Sequence, residues 1–176
     1  MIADSYADLQ KQIDTLISEL SDKDGLKRQK ARLDLIHIGY DAAPALVEVA
    51  ANGKGHARWE AIEALGRIGN PDAADVLVGA LRDEDTGVRW AASNALIGLD
   101  RAAVKPLLIS LTKDFDSVWL REGAHHVLHV LKDRGRLLPK EVKVFEALEG
   151  IEPFVEVPWA AEAALEDLSF MRESRK

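Results

Sequence analysis

The chain has 176 residues, of which 47% are hydrophobic and 30% are charged, with a formal net charge of −7 at pH 7 and no cysteine. This composition is typical of a globular domain, and it excludes disulfides and cysteine-ligated zinc. No apolar run reaches the ~18 residues of a membrane span, and the opening MIADSYADLQ lacks the basic start of a signal peptide. We therefore expect a cytoplasmic protein that folds as one domain over residues 1–176.

The acidic side chains are concentrated at the two ends of the chain. Residues 1–25 carry six acidic and two basic side chains, and residues 141–176 carry nine and four. Surfaces of this sign repel phosphate groups. A nucleic-acid partner is therefore not expected.

The first predicted element is a helix over residues 3–20. Its apolar residues recur at steps of three and four, which places them on one helix face. They are Tyr6, Leu9, Ile13, Leu16, Ile17 and Leu20. The polar segment SDKDG at 21–25 is a break. We expect residues 1–25 to form an N-terminal capping helix.

A segment that begins with arginine then occurs four times. It reads RQKARLDLIHIG at Arg28, RWEAIEALGRIG at Arg58, RWAASNALIGLD at Arg89 and REGAHHVLHVLK at Arg121, at spacings of 30, 31 and 32 residues. This period fits one helix pair per unit and predicts a helical solenoid. Residues 26–150 are therefore expected to form four helix pairs.

Each unit is predicted to contain a first helix, a short acidic turn and a second helix that opens at the arginine. The first helices are expected at 41–51, 71–82, 102–113 and 140–149. The second helices share a small-then-large pattern that lets neighbouring helices approach and fills the layer between them. Its members are Ala31/Leu35/Ile38, Ala61/Leu65/Ile68, Ala92/Leu96/Leu99 and Ala124/Leu128/Leu131.

The connections between the helices carry two further signals. Gly39, Gly66 and Gly69 are placed where a glycine can end a helix in the left-handed conformation. The recurring arginines of the second to fourth units are expected to pair with Asp85 or Asp116 as a ladder between units.

The segment 151–176, IEPFVEVPWAAEAALEDLSFMRESRK, is predicted to cap the C-terminal end. Pro153 and Pro158 bracket an apolar stretch that we expect to be extended. Pro158 or Trp159 is then expected to open a last helix that runs to about residue 171.

The repeat residues resemble the HEAT-like repeats of the phycobilisome-lyase type, over about residues 26–135. The matching residues are Val88-Arg89, Ala91-Ala92 and Ala95-Leu96, and Arg58, Ala61, Ala64-Leu65-Gly66 and Gly69. The resemblance implies an all-α fold, a short right-handed α-α superhelix of armadillo-like architecture. It also implies that the second helices line the concave face, which is the usual binding face of that family.

A helical wheel predicts which residues face this groove. In the fourth unit Glu122, His125, His126 and His129 fall opposite the core residues. The same frame in the other units gives Gln29, Arg32, Leu33 and Ile36, then Trp59, Ile62 and Glu63, then Trp90, Ser93, Asn94 and Ile97. The predicted partner-binding residues are Trp59, Ile62, Glu63, Trp90, Asn94, Ile97, Glu122 and His126.

The sequence also predicts the anchors of this surface and leaves open what fills the groove. The rings of Trp59 and Trp90 are expected to be neighbours and to act as hydrophobic anchors. The chain's own tail is the competing occupant of the groove, through Phe154, Val155, Val157 and Trp159.

The segment EGAHHVLH contains the candidate metal ligands Glu122, His125, His126 and His129. Spacings of four residues allow two side chains of one helix to reach one zinc or iron ion. One helix rarely supplies a whole site, and the His-Glu dipeptides of the HEAT-like deoxyhypusine hydroxylases do not occur here. We therefore expect neither a metal site nor another cofactor.

The leading functional hypothesis is a non-enzymatic scaffold or adaptor that binds a protein segment on the concave face. The alternative is an enzyme on a HEAT-like scaffold, either bilin lyase-like or metal-dependent. A fold similar to the HEAT-like alkylpurine DNA glycosylases is a third hypothesis, against which the acidic ends argue. A homodimer through the groove is a further alternative.

Overall fold

The computed structural model describes the backbone of residues 2–173 and the side chains of residues 6–171 and Glu173. Within this range the chain is helical and contains no strand, so the all-α prediction is confirmed. The helices are α1 Ile2–Glu19, α2 Gly25–Ile38, α3 Ala43–Asn52, α4 Gly55–Ile68, α5 Ala74–Ala80, α6 Thr86–Leu99, α7 Arg101–Lys113, α8 Val118–Asp133, α9 Pro139–Leu148 and α10 Pro153–Glu173. No helix in residues 2–173 is both long and apolar enough to cross a bilayer.

The helices form two layers, as a solenoid requires. In the first layer α1, α3, α5 and α7 pack side by side, and in the second layer α2, α4, α6 and α8 do the same. The helix α1 packs on both α2 and α3, so it is the first helix of a pair as well as the N-terminal end of the stack.

The core consists of the aliphatic residues that the repeat predicted. Their side chains form one connected buried cluster that extends from Ile13 to Ala164. In each second helix the alanine of the repeat pattern and the leucine four residues after it are fully buried. These residues are Ala31, Leu35, Ala61, Leu65, Ala92, Leu96, Ala124 and Leu128.

The second helices begin three residues before the recurring arginine, so the prediction that they open at the arginine is wrong. In α2, α6 and α8 the side chain of the residue four positions before the arginine satisfies a free backbone N–H, whereas Lys54 makes no such bond at the start of α4. Asp24 Oδ1 accepts from Leu26 N at 2.9 Å, and Asp85 Oδ1 accepts from Gly87 N at 2.7 Å. In α8 Ser117 Oγ accepts from Leu120 N at 3.3 Å.

The recurring arginines bind the loop that precedes their own helix. Arg28, Arg89 and Arg121 fold back and donate from Nη1 to backbone carbonyls. The acceptors are the oxygens of Asp22 and Lys23, of Asp83 and Glu84, and of Phe115, respectively. The predicted ladder with Asp85 or Asp116 is therefore wrong. Ion pairs between units form at two of these four arginines, from Arg58 Nη1 to Asp83 Oδ2 at 2.9 Å and from Arg28 Nε to Glu60 Oε1 at 3.5 Å.

Positive φ angles mark the corners between second and first helices. Gly39 and Gly69 have φ of 79° and 72°, as predicted. Asp100 holds the equivalent position after α6 with φ 54°, which is unusual for a residue with a Cβ. Gly66 instead lies inside α4, so its prediction as a helix end is wrong.

The tail forms one continuous helix rather than an extended stretch followed by a helix. Pro153 is the first residue of α10, where a proline loses no hydrogen bond, and Pro158 lies inside the helix. Val157, Ala161 and Ala164 of this helix are buried. Packing of this face on α7 and α9 holds the helix together across Pro158.

The last two helices enter the layers in reversed order. The segment predicted as the fourth first helix is helical, but α9 packs against α8, while α10 lies along α7. Phe145 of α9 explains the placement, because its ring stacks on His125 and His129 of α8 at centroid distances of 5.2 and 5.7 Å. The predicted position of 140–149 in the first layer is therefore wrong.

Candidate protein-binding surface

The surface of α4, α6 and α8 that does not face the first layer is called the second-helix face below. It carries most of the predicted binding residues. Trp90, Asn94 and Glu122 are exposed, and Trp59, Glu63, Ile97 and His126 are partly exposed. Each of these except Ile97 lines a hollow beside two second helices, so a ligand on this face would contact several helices at once.

Ile62 is fully buried, so its predicted place on the exposed face is wrong. Ser93, at the equivalent position of α6, is buried as well. The wheel overestimated the exposed arc because α4 and α6 approach closely. A Cβ added to Gly66 would lie 2.7 Å from the Cβ of Ala95.

A largely apolar hollow on this face lies between α6 and α8 and has a volume of about 290 Å³. We call it the tryptophan hollow. It is lined by Thr86, Arg89, Trp90, Ser93, Trp119, Glu122, Gly123 and His126. Both tryptophans keep much of their surface in solvent, 60% for Trp90 and 41% for Trp119.

The two rings of the tryptophan hollow are held by neighbours from different helices. Trp90 stacks on His126 with a centroid distance of 5.2 Å and an interplanar angle of 27°. The guanidinium of Arg89 lies 4.6 Å from the ring centroid of Trp119, within cation–π range. Since Arg89 also binds the preceding loop, the rim of this hollow is attached to the α5–α6 connection.

Sequence reasoning missed Trp119. It is the second residue of α8, and the repeat frame started two residues later, at Arg121. The serine cap at Ser117 was the available signal, since a helix that starts after Ser117 places Trp119 in its first turn, close to α6.

Two other hollows flank α4. Glu63, Arg67 and Asn94 are among the residues that line a hollow of about 230 Å³ between α4 and α6. Trp59 lines a separate hollow of about 410 Å³ on the α2 side, together with Arg28 and Glu60 among others.

The rings of Trp59 and Trp90, which the sequence predicted to be neighbours, line different hollows, and each has another partner. The guanidinium of Arg32 lies 5.2 Å from the ring centroid of Trp59. Arg32 is fixed there by the buried carboxylate of Glu60, to which its Nη1 donates at 2.6 Å. A buried carboxylate requires such a partner.

The histidine segment divides between two neighbours. His126 and Glu122 face the tryptophan hollow. His125 and His129 face α9, where His125 Nε2 lies 3.4 Å from Glu149 Oε1. Within the described part of the chain, no group of three or more His, Cys, Asp or Glu side chains is placed to hold a metal ion.

The tail does not line these three hollows, whose walls come from α2, α4, α6, α8 and the α5–α6 connection. Of the residues proposed to fill the groove, Val157 is buried, while Phe154, Val155 and Trp159 are exposed elsewhere, on α10.

Comparison with known proteins agrees with this architecture. A family model of HEAT repeats matches residues 13–97. The chain is also 31% identical over 154 residues to a phycobilisome maturation protein of Synechococcus elongatus. That match covers 83% of this chain and 73% of the other protein.

Proposed function

Since the chain belongs to the HEAT-repeat proteins, we propose that it is a non-enzymatic scaffold whose second-helix face binds a segment of a partner protein. The tryptophan hollow is the central contact, with Trp90 and Trp119 as anchors. Glu122 and His126 supply polar contacts at its edge, and Glu63 and Asn94 extend the surface towards α4.

The exposure of two tryptophans in one hollow is the observation that supports this proposal most. Large aromatic rings contribute much of the energy of protein interfaces when they become buried in a complex. Trp90 and Trp119 keep their stacking partners, His126 and Arg89, so their rings are oriented before any partner arrives. Preorganised anchors lose little conformational entropy on binding.

The similarity to a phycobilisome maturation protein suggests the kind of process in which the chain acts. We propose by this similarity that the chain assists the maturation of another protein, which it would bind through the second-helix face. A binding role of this kind needs no catalytic group, and the contacts of the face are stacking and ion-pair contacts.

The first prediction concerns the anchors. Trp90→Ala and Trp119→Ala are each expected to weaken partner binding by about tenfold or more, as is typical of interface tryptophans. The wild-type protein is immobilised, captured proteins are identified, and affinity for the purified candidate is then measured by calorimetry. Tyr6→Ala is the matched control, because Tyr6 is 69% exposed but lies on α1. Equal binding by the wild type and both tryptophan variants would refute the proposal.

The enzymatic alternative, a bilin lyase-like or metal-dependent enzyme, is favoured only by the similarity to the phycobilisome maturation protein. This alternative is distinguished from the scaffold proposal by adding a free bilin to the protein and recording the visible absorption spectrum. The scaffold proposal expects no Trp90-dependent spectral change. A change that Trp90→Ala abolishes would favour the alternative.

A further inference from the structure

The two ends of the helix stack expose different chemistry. The α1 end exposes mainly polar side chains, with Lys11, Asp14, Thr15 and Ser18 exposed beside one aromatic residue, Tyr6. At the other end Ile151, just before α10, and Val155 and Trp159 within it are exposed, at 99%, 55% and 73% of their surface. A terminal layer of a solenoid needs a polar outer face to remain soluble on its own. At the α10 end the polar face is interrupted by these three exposed apolar side chains.

The exposed residues of α10 form one stripe along the helix. Val155, Trp159, Glu162 and Glu166 follow each other at steps of three and four residues, so they lie on the same side. Ile151 precedes the helix by two residues and continues the spacing. The opposite side, with Val157, Ala161 and Ala164, is buried against α7 and α9. We call the exposed side the α10 stripe.

The α10 stripe is acidic as well as apolar. Glu152 and Glu156 are exposed near its start, and Glu162 and Glu166 lie within it. Among the described side chains neither Glu162 nor Glu166 forms an ion pair. The carboxylates are therefore available to a cation that approaches this end of the stack.

This charge pattern selects among the occupants that could cover the stripe. A second copy of the chain, docked antiparallel through α10, would place Glu162 and Glu166 of one copy against Trp159 and Val155 of the other, which leaves the covered carboxylates without a cation. An anionic lipid surface or a nucleic acid is repelled for the same reason. A helix with an apolar face flanked by lysine or arginine matches both the apolar and the acidic residues.

We propose that the α10 stripe is a second docking surface, which accepts a basic amphipathic helix of a partner protein as the next layer of the stack. Trp159 is the anchor, Ile151 and Val155 extend the apolar contact, and Glu162 and Glu166 pair with the flanking cations. This surface is separate from the second-helix face, so the protein can hold two partners at once.

The test uses a designed helical peptide of about 18 residues, with leucines on one face and lysines beside them. A matched peptide carries glutamate in place of each lysine. Binding to the full chain is followed by fluorescence anisotropy at low salt. The lysine peptide is expected to bind at least about tenfold more tightly, and Trp159→Ala is expected to weaken its binding by about tenfold or more. The double variant Glu162→Lys/Glu166→Lys is expected to reverse the preference between the peptides.

Trp90→Ala is the matched control, since it removes an exposed tryptophan from the second-helix face and leaves the α10 stripe intact. It is expected to bind the lysine peptide like the wild type, so failure of the second-helix face and failure of the α10 stripe give different results. Circular dichroism checks that each variant is folded. Absence of binding by the wild type, equal binding of both peptides, or unchanged binding by folded Trp159→Ala would overturn the proposal. Sedimentation equilibrium measures the oligomeric state of the wild type and of Trp159→Ala. A wild-type dimer that Trp159→Ala dissociates would identify a second copy as the occupant and would overturn the proposal.

Discussion

Gly66 shows how closely the second helices approach each other. A Cβ at this position would lie 2.7 Å from the Cβ and 2.9 Å from the Cα of Ala95. Both of these atoms belong to, or are fixed by, the backbone of α6, so neither can move aside without shifting the helix. The absence of a side chain at Gly66 therefore sets the distance between α4 and α6.

Gly66→Ala is expected to lower the free energy of unfolding by about 1–3 kcal/mol, the usual effect of overpacking a core contact. Gly79→Ala in α5 is the matched control, since a Cβ there meets nothing within 4 Å. That variant is expected to raise stability by about 0.5–1 kcal/mol, because alanine is the better helix former. Urea denaturation followed by circular dichroism measures both. A Gly66→Ala protein as stable as Gly79→Ala would show that α4 and α6 are not in such close contact.

At the scale of the secondary-structure element, the connections into α2, α6 and α8 each have a capping side chain and an arginine that closes the loop. In α6 Asp85 caps the helix, and Arg89 Nη1 donates to the carbonyls of Asp83 and Glu84 at 2.7 and 3.1 Å. Its Nη2 donates to Thr86 Oγ1 at 3.0 Å. The planar guanidinium reaches several acceptors at once, which an ammonium group cannot do in the same geometry.

Arg89→Lys is expected to lower the free energy of unfolding by about 1–3 kcal/mol, because charged hydrogen bonds to the loop carbonyls are lost. Arg67→Lys, at an exposed position of α4 without a described bond, is the control and is expected to change stability by less than about 0.5 kcal/mol. Urea denaturation with tryptophan fluorescence reports on both. Equal stability of the two variants would contradict the role of Arg89 in the loop.

The existence of the helices could be predicted because apolar spacing and the repeat both report on the core. Their starts could not, because the repeat was aligned on an arginine whose side chain binds backwards along the chain. Pro158 was also misleading, because tertiary packing and not the local sequence decides the backbone structure there. The break that a proline favours locally was overridden by burial of Val157, Ala161 and Ala164, which depends on tertiary contacts.

Across the whole molecule, an ion pair links segments that are distant in sequence. Arg136, in the α8–α9 connection, donates from Nε to Asp100 Oδ1 and Oδ2 at 2.9 and 2.7 Å. This hydrogen bond from Arg136 lowers the pKa of Asp100 below its usual value. Near α2, Lys27 lowers the pKa of Asp22 in the same way.

These shifts predict how stability depends on pH. A carboxyl group with a lowered pKa in the folded protein stabilises the fold above its unfolded pKa of about 3.9, and the contribution is lost as the pH falls through the folded value. Asp100→Asn is therefore expected to be less stable than the wild type at neutral pH, with a difference that closes in acid below about pH 4. Asparagine tolerates the positive φ at this position, so the comparison isolates the charge.

Urea denaturation at several pH values measures this difference. The control is Asp8→Asn, at an exposed position of α1, for which no such closing difference is expected. A constant difference between the wild type and Asp100→Asn from neutral to acidic pH would contradict the assignment.

The binding surface was predictable only in part. The wheel identified Trp90, Asn94 and Glu122 as exposed because these residues lie far from the first layer. It failed at Ile62, since burial there comes from a neighbouring second helix, whose distance depends on Gly66. It gave no indication that Trp59 is held under Arg32, because that contact follows from the buried charge of Glu60.

The reversed order of α9 and α10 has a consequence for folding kinetics. From α1 to α8, each helix packs on neighbours that are near in sequence, and such contacts form quickly because little chain must be closed. The contact of α10 with α7 differs, since Pro153 returns to Arg101–Lys113 only after all of α8 and α9 have been laid down. This contact closes a longer loop than the contacts among α1 to α8, so it is expected to form last and to leave one side of α7 uncovered until then.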